Sequence, residues 1–229
     1  MSSDWAASAL HWWQEAGVDT IVGETPRDWL NAAPRTAPAQ PAEPERRAPL
    51  PATLPEFREW LMSSEGFPPG PRLAPSGDPA SGLMMLTDMP GPQDADAGAL
   101  VSGEIGAMFD RMLERIGRSR DTVYLASMLP VRPASGRLQS ARMAEIAELA
   151  RHHIALVRPT MLLLFGDECS KALLGASMAA ARGRPHALDT PSGPVNTIVT
   201  MSLQFLFSQP RRRKDSLADL QLLMEGLKP

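Results

Sequence analysis

The sequence predicts an α/β fold, a three-layer sandwich in which helices cover both faces of a central four-stranded, mostly parallel sheet. The prediction starts from four short apolar runs, 83–87, 122–127, 160–165 and 196–201. They lack the polar alternation of a half-exposed strand, so each reads as a strand buried on both faces. Helical patterns separate the runs, and a strand–helix–strand repeat favours parallel pairing with the helices laid over the sheet.

The elements follow in chain order. Trp5, Ala9, Trp12 and Ala16 form the stripe of an amphipathic helix that Gly17 is placed to stop. Residues 1–33 are therefore expected to be a Trp-rich N-terminal segment, either docked on the main domain or offering a face to a protein partner, since Trp is enriched in interface hot spots. Seven of the 22 residues from Pro34 to Pro55 are proline, so residues 34–55 read as a semi-rigid linker. The folded domain is expected over 56–229. It opens with a helix over 56–65 and a Pro/Gly-rich stretch over 66–82. Helices are predicted over 103–117, 139–157, 167–174 and 214–227, between and after the strands. In the second of these Met143, Ile146, Ala147, Ala150, Ile154 and Val157 share one face, and Pro159 ends it.

Composition narrows the chemistry. With 23 Lys and Arg against 26 Asp and Glu the formal charge is −3, so any contact with nucleic acid must come from a local basic patch. Such a patch exists at Arg211, Arg212, Arg213 and Lys214, preceded by Gln204, Phe205, Leu206 and Phe207, and it suits a surface that pairs with DNA phosphates while an apolar wedge probes a groove. A single cysteine, Cys169, cannot make an intramolecular disulfide, a multi-cysteine zinc site or a cysteine-held iron–sulfur cluster. No cofactor or metal is expected. The absence of a long apolar run or a secretory pattern predicts a cytoplasmic protein with no membrane contact. Dinucleotide, phosphate-loop, nucleophile-elbow and His-Glu-x-x-His motifs are all missing. His152 and His153, in the last turn of a helix, are expected to be solvated or to cap it; His186 lies in an expected loop, and Cys169 is expected to act as a small buried hydrophobe.

In open parallel sheets a ligand sits beyond the carboxyl ends of the strands. Those ends carry Thr87, Asp88, Met89, Pro90 and Gly91 after the first strand, Ser127 after the second, Gly166 and Asp167 after the third, and Ser202 after the fourth.

From residue 83 onward these residues resemble the uracil-DNA glycosylase superfamily, in particular its iron–sulfur bacterial and archaeal branch. The Gly-Glu-Ala-Pro-Gly opening of that branch is matched by Thr87, Asp88, Met89, Pro90 and Gly91. Its spaced glycine pattern is matched by Gly98, Val101, Ser102, Gly103 and Gly106. Tyr124, Ser127 and then Val131, Arg132, Pro133 and Ala134 follow the family's next step. Phe165 and Gly166, then Ala172, Leu173, Leu174 and Gly175, follow the one after. Thr200, Met201, Ser202, Leu203, Leu206, Phe207, Ser208 and Pro210 stand where the family has Thr-Tyr-His-Pro-x-x-Leu-Leu-Arg-x-Pro. The resemblance implies the fold already predicted, and it implies base excision from DNA. It assigns catalysis to Asp88 and Ser202 and base binding to Met89, Pro90, Gly91, Val101 and Ser127; DNA contact is expected at Gln204, Phe205, Leu206, Arg211, Arg212, Arg213 and Lys214. The departures fall on the same positions. Val101 replaces a stacking phenylalanine, Ser127 a base-reading asparagine and Ser202 a histidine. The cluster cysteines are gone, with Val131 and Leu149 at two of their places. The expectation is a DNA-associated, repair-type protein whose N-glycosidic base excision is weakened, lost or redirected to another base. The alternative is a non-catalytic interaction module that uses its Trp helix to bind a replication or repair protein.

Overall fold

The computed structural model describes Trp12 and residues 49–227. The chain divides into two units, Met1–Pro49 and Leu50–Pro229, and the elements below belong to the second. The expected tryptophan helix, apart from Trp12, and most of the expected linker lie outside the described residues.

Helix α1 (Leu54–Ser63) begins the unit with Pro55 in its first turn, where a missing N–H costs nothing. The strands are β1 (Ser76–Gly77), β2 (Leu83–Thr87), β3 (Tyr124–Ser127), β4 (Met161–Phe165), β5 (His186–Thr190) and β6 (Gly193–Thr200). After α1 the helices are α2 (Asp94–Ala97), α3 (Gly103–Arg115), α4 (Met143–Val157), α5 (Gly166–Leu174), α6 (Met178–Ala181), α7 (Leu203–Ser208) and α8 (Arg213–Gly226). The strands form one sheet in the order β1-β3-β2-β4-β6-β5, with β3, β2, β4 and β6 parallel and the two outer strands antiparallel.

The expected four-stranded sheet is thus the parallel centre of a six-stranded one. β5 escaped the sequence reading because its only buried side chain is Leu188, so it carries no buried-strand signal. It joins β6 in a hairpin across Pro191 and Ser192, residues that read as breakers. Being an edge strand, it can tolerate them nearby. β6 begins three residues earlier than expected. Its first half alternates between exposed and buried along the edge, and its second half is buried throughout.

Alternation along the central strands feeds two cores. Met84 and Leu86 of β2, with Tyr124, Leu162 and Leu164, pack under α1, α4 and α5. Leu83 and Met85, with Leu125, Leu163 and Ile198, pack against α3, α7 and α8 through Phe109, Leu113, Leu206, Leu220 and Leu223. This is the three-layer arrangement the sequence predicts, and it leaves the carboxyl ends of β2, β4 and β6 along one rim.

The two positions at which the resemblance would have cluster cysteines, Val131 and Leu149, lie in an apolar lobe. Val131 and Leu149 join Phe57, Leu61 and Phe67 in one buried cluster, with Trp60 stacked on Phe57 at 5.7 Å. Cys169 is buried in α5, with its thiol pushed well above its ordinary pKa by burial. Among the described residues no group of His, Cys, Asp and Glu could hold a metal ion. The side chains present do not fit a cluster.

His153 departs from expectation. It is buried, with Nε2 3.0 Å from the Tyr124 hydroxyl, and burial drives its pKa down to about 3. The face of α4 that meets the sheet therefore includes a neutral imidazole. His152 hydrogen-bonds the Pro51 carbonyl at 2.8 Å, tying the segment before α1 to α4.

Candidate active-site cavity

The site is built around the loop that leaves β2. Asp94, at the start of α2, is buried and accepts four hydrogen bonds. They come from the N–H groups of Gly91 (2.8 Å), Val101 (2.9 Å) and Ser102 (2.8 Å) and from the Ser102 hydroxyl (2.7 Å). Burial alone would raise its pKa, but these four donors, led by Ser102, hold it below the usual carboxylate range. Asp94 thus ties residues 91 to 102 into a closed loop.

Val101 sits in that loop with φ at 54°, a left-handed conformation that a β-branched residue rarely adopts. Asp94 grips its N–H, and Arg120 Nη2 donates to its carbonyl at 2.7 Å while Arg120 Nε pairs with Asp110 at 2.6 Å. Opposed polar contacts on both sides of the residue overcome the strain. The first turn of α3 presses on the same carbonyl. A Cβ on Gly106 would lie 2.5 Å from the Val101 oxygen, so only glycine lets the helix approach.

Above the strand ends lies a cavity of about 460 Å³ lined by Asp88, Met89, Pro90, Gly91, Val101, Arg132, Phe165, Ser202, Gln204 and Phe207, among others. Its size falls in the range of small-ligand sites. Asp88 is half-buried. Burial raises its pKa, the Met89 N–H and the charge of Arg132 oppose the rise, and Glu168 adds to it. Ser202 caps α7, its Oγ accepting from the Phe205 N–H at 3.3 Å, which leaves the hydroxyl proton to donate elsewhere. The described histidines all lie outside the cavity; His186 Nε2 is bonded to the Ala181 carbonyl at 2.7 Å.

The structure gathers Asp88, Met89, Pro90, Gly91, Val101, Ser202 and Gln204 in this one cavity and leaves others out. Ser127 is 7 % exposed and is not among the lining residues. The ladder runs on past it, with the N–H groups of Met128 and Leu129 donating to the carbonyls of Thr87 and Asp88, so the chain covers it. Asp167 is likewise outside the cavity, accepting from the Met178 N–H at 2.8 Å and pairing with Lys171.

The expected DNA-contacting segment also divides. Gln204 is exposed and Phe205 is 42 % exposed, but Leu206 is fully buried in the core and cannot serve as a wedge. Arg213 is half-buried, its Nε donating to the Leu206 carbonyl at 3.1 Å, so it secures the end of α7. Arg212 pairs with Asp215 at 3.2 Å, and Arg211 and Lys214 are exposed.

Arg132, Phe165 and Phe207 line the cavity although the sequence reading gave them no part in it. Phe165 and Phe207 supply aromatic surface that Val101 lacks. The signal for Arg132 lay in its place beside Val131, in a loop after β3, but nothing in the sequence showed that Arg132 reaches back to the Pro90 carbonyl, two residues beyond Asp88. A family model for the Uracil DNA glycosylase superfamily matches residues 74–223, a span that includes all six strands. It begins nine residues before the resemblance noted in the sequence.

Proposed function

Because the chain belongs to the uracil DNA glycosylase superfamily, we propose that it is a DNA-associated repair protein that removes a base from DNA slowly, or removes one other than uracil. The observation that carries this reading is a cavity of about 460 Å³ that keeps a carboxylate, Asp88, beside aromatic surface but, among the described residues, is lined by no imidazole.

Base excision breaks the bond between the sugar C1′ and the base nitrogen. The electron pair leaves with the base, the sugar gains cationic character, and water adds at C1′. An extruded base needs a pocket, and the reaction needs a carboxylate near the sugar and donors near the base. Asp88 fits the first role, steadying the cation and taking the proton of the incoming water. Ser202 offers a neutral hydroxyl where the family has an imidazole, and losing one such donor costs on the order of 10²–10³ in rate. Ser127, under the ladder, supplies no amide to read uracil, and the amides that line the cavity are those of Gln93 and Gln204. Arg211, Lys214 and Phe205, all exposed and within ten residues of one another, support a DNA-facing surface at and just after α7.

The test is incubation with duplex and single-stranded DNA carrying uracil, hypoxanthine or a thymine mismatch, followed by alkaline cleavage of abasic sites. Slow scission that an Asp88→Asn variant lacks is expected. Scission no greater than in that variant removes base excision from the account.

A further inference from the structure

Resting on the reading of this cavity as a base-excision site, we infer that Arg132 is a catalytic residue that takes up the negative charge of the departing base. Among the described residues that line the cavity, Asp88, Asp94 and Glu104 are acidic and Arg132 is the one cation. The Asp94 charge is consumed by its four donors, and Glu104 is exposed. Arg132 has no such partner: among the described residues no carboxylate lies within ion-pair distance of it. Its Nη1 donates to the Pro90 carbonyl at 3.0 Å, which anchors the guanidinium to the same loop that carries Asp88. Gly136, at φ 63°, makes room for it, since a Cβ there would lie 2.9 Å from Arg132 Nη2. A half-buried, anchored cation at the edge of a cavity, attracted to Asp88 only from beyond ion-pair distance, is suited to an anion that arises inside that cavity.

The chemistry is consistent. As the C1′–N bond breaks, the base takes the electron pair and becomes an anion. Arg132 stabilises it by donating hydrogen bonds without giving up a proton, because a guanidinium stays charged throughout the working pH range. Water adds to C1′ and its proton goes to Asp88. The base anion is protonated by solvent after release. Charge-assisted donors are roughly twice as strong as neutral ones, so Arg132 is better placed than Ser202 for this duty.

The experiment compares wild type, Arg132→Gln and Arg132→Lys, each checked by thermal melting, on whichever of the uracil and hypoxanthine duplexes is cut faster. Single-turnover rate at saturation is measured beside DNA affinity across a salt series. Arg132→Gln is expected to lower the rate by on the order of 10²–10³, Arg132→Lys by less, with affinity and salt slope unchanged. An unchanged rate overturns the inference. So does weaker binding with a salt slope smaller by about one at unchanged rate, which makes Arg132 a phosphate contact.

A second readout needs no turnover. Free uracil and free hypoxanthine are titrated into the full-length protein below and above the pH at which their N–H ionises. Wild type is expected to bind the anion at least about tenfold more tightly than the neutral base, about 1.4 kcal/mol, and Arg132→Gln to bind both alike. Equal binding by wild type, or no binding, overturns the inference. No scission by any variant, with anion binding that depends on Arg132, removes the excision reading and keeps the anion site. Scission undiminished in Arg132→Gln does the reverse.

Discussion

Asp88 and Asp94 lie six positions apart on one loop and respond to pH in opposite directions. The raised pKa of Asp88 means that its carboxyl group favours the folded state when protonated. That contribution is complete below about pH 3.8, the ordinary value, and is lost as pH rises through the higher folded value. At neutral pH the ionised Asp88 therefore opposes folding. Asp88→Asn is expected to raise the melting temperature by about 2–4 °C, corresponding to about 1 kcal/mol for a domain of this size, while abolishing any strand scission; calorimetry and the alkali assay check the two halves. Asp94 works the other way. Its stabilisation is present above about pH 3.8 and fades as pH falls through its depressed folded value. Asp94→Ala leaves three N–H groups and a hydroxyl without their acceptor, so urea denaturation should show a loss of about 3 kcal/mol. Such a contrast could not be read from the sequence. Asp88 stood out by its place after a strand, but Asp94 carried no signal, because its donors come from up to eight residues further along.

The central strands were legible because burial on both faces leaves an unbroken apolar run, and β2 begins and ends where its composition predicts. Elements decided by tertiary context were not. β5 is an edge strand with one buried side chain, α7 is six residues long, and β3 starts later than its apolar run because Ser119 and Thr122 close a capping box around a 3₁₀ turn. The packing of α4 on β3 hides a further surprise in the buried pair Tyr124 and His153. Burial drives the tyrosine pKa to about 12 and the imidazole to about 3, so both are neutral inside the fold. The unfolded imidazole takes up a proton near pH 6.5 and the folded one does not. Stability from this residue is thus present above pH 6.5 and lost progressively toward pH 3. A His153→Leu variant should flatten that part of the stability-against-pH curve, measured by chemical denaturation at a series of pH values. At neutral pH it leaves the tyrosine hydroxyl unpaired at a cost of about 1–3 kcal/mol, and the double variant Tyr124→Phe, His153→Leu should recover most of that loss.

Charge across the protein is nearly balanced, so any DNA surface would be assembled from few cations. The four-residue basic run looked like one patch in the sequence, yet side-chain contacts split it into a structural member, Arg213, an ion-paired one, Arg212, and the exposed Arg211 and Lys214. Changing Arg211 and Lys214 to Ala should reduce the slope of log affinity against log salt by up to about 1.8, or about 0.9 per phosphate contact. Arg213→Ala should instead show up as lower thermal stability. DNA affinity measured from low to physiological salt separates the two effects. Phe57, Trp60 and Phe67 pack with Val131 and Leu149. Where the resemblance would put cluster cysteines this corner holds hydrocarbon, so its cohesion comes from apolar contact alone and its melting temperature should not move when a chelator is added.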